Sequence, residues 1–278
     1  MNEDNHIVNG VLVGTVCSEP DELGRVEVQY EWMEGESFSF RAPIATLMSG
    51  SRRGSWFMPE EGDEVLVAFD QGRFDHPFIV GFLWNGASAP PNDDQTQSGN
   101  PIDRNLRRVR TVSGHVLEFD DNESDTRVHL RSAGGHDLVL DDASSAATVR
   151  LTTSGGGSGG HTLELSDREQ NVRLQTKAGH VLELSDQGQK AELSVVGGSH
   201  VTLDAAAGTI HIESAGKVSI EVTSTGQVNI KAPLGVDVTT LRAVFSGILE
   251  AQLVKATVGK FETVSSGAYT PTYGVILP

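Results

Sequence analysis

Five histidines, His115, His136, His161, His180 and His200, recur nineteen to twenty-five residues apart, each directly after a Gly or a Ser. Neutral imidazole is a good metal ligand, and a three-fold axis could bring three copies of one histidine together. The spacing instead puts the five in different layers of a repeating structure. Their place beside a turn residue makes them caps of turns, so no metal ligand is expected among them. Asp120-Asp121 and Asp141-Asp142 are paired carboxylates of the kind glycoside hydrolysis needs, one of them with a raised pKa. They sit in turns of the same repeat and are expected to face solvent as ordinary surface acids. Ser154 to Gly160 is rich in Ser and Gly but lacks the Lys and the strand-to-helix setting of a phosphate loop. The single cysteine, Cys17, lies between Val16 and Ser18 in a strand-like run and suits a small buried side chain rather than a nucleophile. Nothing in these groups assembles a catalytic, cofactor or metal site, and the chain is not expected to be an enzyme.

The elements that carry these residues are strands. From His115 to Val238 there are thirteen short segments of alternating apolar and polar residues, separated by Gly or by an Asp/Ser pair, and no Pro occurs between Pro101 and Pro233. The repeat is plainest in Ser113-Gly114-His115-Val116-Leu117-Glu118, Gly135-His136-Asp137-Leu138-Val139-Leu140, Gly160-His161-Thr162-Leu163-Glu164-Leu165 and Gly179-His180-Val181-Leu182-Glu183-Leu184, with a worn copy at Ser199-His200-Val201-Thr202-Leu203. Second strands such as Val149-Arg150-Leu151 and Val172-Arg173-Leu174 fall between them. After Asp204 the spacing tightens, with Gly208, Gly216, Gly226 and Gly235 each leading a β-branched, polar, β-branched run. Each strand has one apolar stripe, too narrow to close a core alone. The segments must stack on one another and on other copies of the chain, which is the mark of a rod. Eight to ten residues cannot supply three faces of a solenoid coil, whereas three chains giving one strand each per layer can.

The first hundred residues differ in kind. Eleven of the sixteen Phe, Trp and Tyr residues lie there, and aromatic side chains bury the most area in a globular core. Val11–Val16, Gly24–Tyr30, Phe38–Ala42, Glu64–Phe69 and Pro77–Trp84 read as five strands joined by Pro, Asp and Gly turns, best matched by an oligonucleotide/oligosaccharide-binding (OB) type barrel. Residues 85–105 are polar and carry Pro90-Pro91, a linker. Arg104, Arg107, Arg108 and Arg110 follow as a collar expected to pair with neighbouring carboxylates. The fold class expected is therefore all-β, an OB-type barrel followed by an intertwined triple-stranded β-helix in a homotrimer. The formal net charge of −17 excludes nucleic acid as a main partner. The start of the chain has neither a basic nor an apolar stretch, so synthesis in the cytoplasm without a signal peptide is expected.

Val13-Gly14-Thr15-Val16, Leu23-Gly24-Arg25-Val26-Glu27-Val28, Ser55-Trp56-Phe57-Met58-Pro59, Gly62-Asp63-Glu64-Val65-Leu66-Val67-Ala68-Phe69 and the run from His76 to Gly86 resemble, in order and spacing, the barrel of the phage baseplate assembly protein V and valine-glycine-repeat (VgrG) spike family. Thr111 to Asp121 is similar to the start of that family's needle. The resemblance implies a homotrimeric central spike of a contractile injection machine: a base barrel over 1–86, a collar over 87–110, a β-helix shaft over 111–264 and a tip tail over 265–278. It implies a part of a phage, a tailocin or an extracellular injection particle that pierces the target envelope, meeting the membrane only transiently. Since the chain starts at the barrel, a separate baseplate hub protein is expected at that end, with the inner tube touched only indirectly. No segment between Asn85 and Arg110 has the length or character of the lysozyme domain some family members insert. Some spikes of this family end in a His-x-His iron site, but Ile210-His211-Ile212 holds one histidine and residues 240–278 hold none. The apolar tail, with Tyr269, Pro271, Tyr273, Val275, Ile276 and Leu277, is expected to dock a proline-alanine-alanine-arginine (PAAR) type tip protein or an effector. A receptor-binding or glycan-degrading β-helical fibre is the alternative function, and it calls for shaft aromatics of which the sequence has few.

Overall fold

The computed structural model describes residues 7–32, 40–91, 104–123, 126–143, 147–155 and 159–239, with 244, 246–248 and 250. Among the described residues the regular structure is β, apart from one 3-10 turn at Asp70–Gly72. The expectation of an all-β chain holds.

The N-terminal unit is built on a four-stranded antiparallel sheet. Its strands are β1 (Val11–Val16), β2 (Val28–Gln29), β5 (Glu64–Phe69) and β6 (Pro77–Leu83), in the order β2-β1-β5-β6. A small ribbon, β3 (Ser49–Gly50) with β4 (Arg53–Gly54), stands apart. Isolated bridges Val26 to Ala42 and Ile44 to Ile79 carry the curvature onward. Inward residues alternate with outward ones, so Val16, Val26, Val28, Ala42, Val65, Val67 and Ile79 make a dry core. Closure has a glycine requirement. A Cβ on Gly14 would lie 2.4 Å from Val28 Cγ1, so β1 and the chain around Val28 approach as closely as only glycine allows. The register slips between Leu66 and Val67, a bulge that bends β5 against β6. The expected strand at Phe38–Ala42 is reduced to the bridge at Ala42; Phe38 and Ser39 lie outside the described residues.

The alternation also corrects the reading of Cys17. With Val16 buried, the next residue points outward, and Cys17 is exposed. Partial desolvation, and then the carboxylates of Glu27 and Glu61, raise its thiol above the ordinary value, which disfavours a reactive thiolate.

The described residues from 104 to 239 hold one sheet of thirteen strands, each hydrogen-bonded to its neighbours in sequence. It begins with β7 (Leu106–Arg110), β8 (Val116–Asp120), β9 (Arg127–Arg131), β10 (Asp137–Asp141) and β11 (Thr148–Thr152). It continues through β12 (Thr162–Ser166), β13 (Asn171–Gln175), β14 (Val181–Ser185) and β15 (Lys190–Val195). It closes with β16 (Ser199–Asp204), β17 (Thr209–Ser214), β18 (Val218–Val222) and β19 (Val228–Lys231). The arginine-rich collar supplies the first strand, and the last glycine-led segment, Gly235 to Val238, is not a strand. The sequence reading gave each layer one strand from each of three chains. The described ladders instead run antiparallel within a single chain, because short turns join neighbouring strands and close every ladder locally.

Both rims of this meander are zipped. On one rim the backbone N–H groups of Ala133, Ser154, Lys177 and Val196 donate to Nδ1 of His115, His136, His161 and His180 at 3.1, 3.0, 3.3 and 3.1 Å. Each histidine thus ties its own turn to the next turn along, and the expectation of turn caps holds for these four. On the other rim Ala147, Gln170 and Gln189 adopt left-handed backbone, with φ of 46°, 51° and 49°. Their carbonyls accept from the N–H groups of Asp167, Asp186 and Ala205 at 3.1, 2.9 and 2.9 Å. Turn polar groups that would otherwise rely on water are satisfied by the neighbouring layer.

Candidate functional site: the apolar face of the sheet

A register followed across all thirteen strands gives continuous rows. One runs Val109, Leu117, Leu130, Leu138, Leu151, Leu163, Leu174, Leu182, Leu193, Val201, Ile212, Ile220 and Ile230, one aliphatic side chain per strand without a break. A second row two residues over holds Arg107 in β7 and then only apolar residues from Phe119 to Val228. Residues two apart share a face, so both rows lie side by side. In one chain this face is open to water: Leu151, Leu165, Leu174 and Leu184 are each 43–48% exposed. A surface of this extent is well beyond what a monomeric soluble protein leaves uncovered.

The opposite face is polar and held by charge. Arg108 of β7 grips Glu118 of β8 through Nε and Nη2, and both side chains are under a tenth exposed. Arg150 Nε meets Glu164 at 2.7 Å, and Arg173 Nη1 meets Glu183 at 2.7 Å. At the barrel end of the aliphatic face Arg107 pairs with Asp121. Of the collar arginines, Arg107 and Arg108 pair with neighbouring carboxylates as expected, and Arg108 is buried rather than solvated. Arg108 Nη1 also donates to the Pro91 carbonyl at 3.1 Å, which ties the sheet to the chain leaving the barrel. Cross-strand pairs of opposite charge on this face fix the register, since a slip of one residue would turn every aliphatic side chain outward.

The structure gives the members of the first carboxylate pair different surroundings. Asp121 and Asp142 are exposed, while Asp120 is buried, against expectation. Asp120 Oδ1 accepts from the backbone N–H of Asn122 at 3.0 Å and from its Nδ2 at 2.7 Å, so it serves the turn. In Ser154 to Gly160 the middle residues lie outside the described ones. So does the whole tail with Tyr269, Pro271, Tyr273, Val275, Ile276 and Leu277. The fifth histidine departs from its siblings: His200 lies inside β16 on the polar face, close to His211 and Glu213. No spacing argument separated it from the other four; a one-residue shift in the repeat did.

The barrel has open apolar surface as well. Val11, Val13, Phe78, Val80 and Phe82 point outward from β1 and β6, and Trp56 is 71% exposed beside a groove lined by Leu23, Ile44, Met48 and Phe57. Among the described residues no helix is long and apolar enough to cross a membrane.

The described residues thus form a barrel leading into a long sheet with one greasy face. Comparison with known proteins bears first on the barrel. Residues 10–84 match the injector OB domain of type VI secretion systems and phage baseplates. The type VI secretion system spike protein VgrG1a of Pseudomonas aeruginosa is 33% identical over 98 residues, 32% of this chain and 15% of that protein. The spike protein VgrG3 of Vibrio cholerae is 27% identical over 141 residues, 45% of this chain and 13% of that protein. Over the stretches compared the chain is similar to VgrG spike proteins, and it spans under a sixth of the length of these relatives. Among solved structures, the TCP10c domain of Drosophila melanogaster Sas-4 covers 46% of this chain and 98% of its own, at 17% identity and a TM-score of 0.23, too low to carry an argument.

Proposed function

We propose that this chain is the homotrimeric central spike of a contractile injection machine. Three copies turn their open aliphatic rows toward one axis and form a three-sided, twisted β rod, each side of it one chain's own meander. The two apolar rows, one unbroken over thirteen strands and one over twelve, carry this reading: they leave one chain short of a core and supply three with one. Polar faces then point outward on all sides, and the charge pairs and zipped rims stiffen each side of the rod against axial load. The barrel, 1–86, is the base, with its exposed Trp56 groove and outward β6 aromatics facing its own copies and the baseplate hub. Residues 87–110 form the collar, although their last five belong to the sheet. Residues 111–264 form the shaft, and the tail over 265–278 docks a PAAR-type tip protein or an effector. The role is mechanical, without enzymatic activity or cofactor: the spike joins the hub to the tip and pierces the target envelope, touching the membrane only on puncture. Removing the gene from its native host tests this. Sheath-bearing particles should be missing or should fail to injure target cells, with recovery on complementation; normal particles with full activity would reject the proposal.

A further inference from the structure

The polar face of β16 and β17 carries a second kind of site. His211 Nε2 lies 3.2 Å from Glu213 Oε2, and His200 Nε2 lies 3.9 Å from the same oxygen. The imidazole centroids are 5.4 Å apart, and one ligand atom from each of the three residues falls within 4.8 Å of the others. All three side chains are about one-third exposed, open enough for an ion to enter. His200 and Glu213 stand directly opposite across the ladder, and His211 is two residues from Glu213 on the same strand.

A near twin of this arrangement shows what is unusual about it. On β9 and β10, Asp137 Oδ1 takes His129 Nε2 at 2.9 Å and Arg131 Nε at 3.0 Å. There too a histidine sits in the central row, and the carboxylate and its second partner face each other across the outer row. In β16 and β17 His200 stands where the other cluster has arginine. Arginine stays protonated and closes such a cluster by itself; imidazole can give up its proton and become a ligand. The same one-residue shift that withdraws His200 from the rim puts its ring here. The Arg–Glu pairs of the central row also end before this point. From β15 on, that row reads Glu192, Thr202, His211, Glu221 and Asn229, with carboxylates and no cation.

We propose that His200, His211 and Glu213 bind a divalent transition ion of the zinc class, two imidazole nitrogens and one carboxylate oxygen leaving a position for water. The ion supplies the positive charge that arginine supplies nearer the barrel, and it clamps β16 to β17. Each copy holds its own ion on the outer face, so the site does not depend on how the copies assemble. Titrating the untagged, chelator-treated full chain with zinc against a chromophoric chelator should show one tight site per chain, unaffected by excess magnesium. His211→Ala and His200→Asn should each weaken it by at least about tenfold, the lower range for losing even a supporting group of a metal site. His180→Gln, on the rim, should leave it intact. Zinc should raise the melting temperature of the wild type and of H180Q but not of H211A, and circular dichroism of each variant without metal controls for folding. Absence of zinc binding in the wild type would overturn the proposal and leave a metal-free His–Glu cluster. Unchanged affinity in folded H211A, or displacement by magnesium, would overturn it equally.

Discussion

Replacing Leu174 by glutamate should break the association of the copies while leaving the chain's own hydrogen-bonded ladder possible. Leu174 sits in β13, near the middle of the first aliphatic row, between Leu163 and Leu182. It is 44% exposed in one chain. Covering the remainder is worth roughly 1 kcal/mol, a little under half of the about 1.5–3 kcal/mol for complete leucine burial. Three symmetry-related copies lose roughly 3 kcal/mol together when the leucine goes. Three carboxylates brought onto one axis add a desolvation cost of several kcal/mol each, so the total is on the order of 10 kcal/mol per trimer, enough to dissolve it at micromolar concentration. Light scattering coupled to gel filtration is the assay. The wild type should run at three times the 29.7 kDa of one chain, and L174E should run as single chains or aggregate through the rest of its open face. Gln175→Glu, one residue on and on the polar face, is the control and should keep the wild-type mass. A folded wild-type chain of 29.7 kDa, or L174E with unchanged mass and melting temperature, would refute the reasoning.

Two further outcomes follow from local geometry. His161→Ala and His180→Ala each remove the acceptor of one backbone N–H on the rim and should cost about 1 kcal/mol in urea unfolding, with hydrogen exchange accelerated at Lys177 and Val196 respectively. Asp21 accepts from the Arg25 side chain and from the N–H groups of Arg25 and Leu23, and these bonds, that to the Arg25 guanidinium first, hold its carboxyl down at about 2 from an ordinary 3.8. A lowered folded-state pKa means that the contribution is present above the unfolded value and lost as protons bind. The barrel's unfolding midpoint should therefore fall as pH drops from about 4 toward 2, and Asp21→Asn should flatten that part of the profile. Tryptophan fluorescence reports it, since Trp32, Trp56 and Trp84 all lie before the sheet.

Several features were legible without coordinates. Gly-His turns and period-two alternation mark short strands wherever they fall, and the aromatic-rich first hundred residues mark a compact unit, because both follow from side-chain chemistry within a few residues. The role of His115, His136, His161 and His180 as turn caps was legible for the same reason. Residue type alone places neither Cys17 nor Asp120: alternation through the buried Val16 turns Cys17 outward, and the bonds from Asn122 hold the Asp120 carboxylate inside its turn.

What the chain settles by itself is that every strand offers one aliphatic stripe and one polar stripe. Only the tertiary structure decides how strands are paired. Short turns close antiparallel ladders inside one chain, and the register that results aligns thirteen stripes into unbroken rows. That same register brings His200, eleven residues away in sequence, against His211 and opposite Glu213. Cross-strand neighbours are set by hydrogen-bond register rather than by sequence spacing, and a shift of one residue changes which face a side chain occupies.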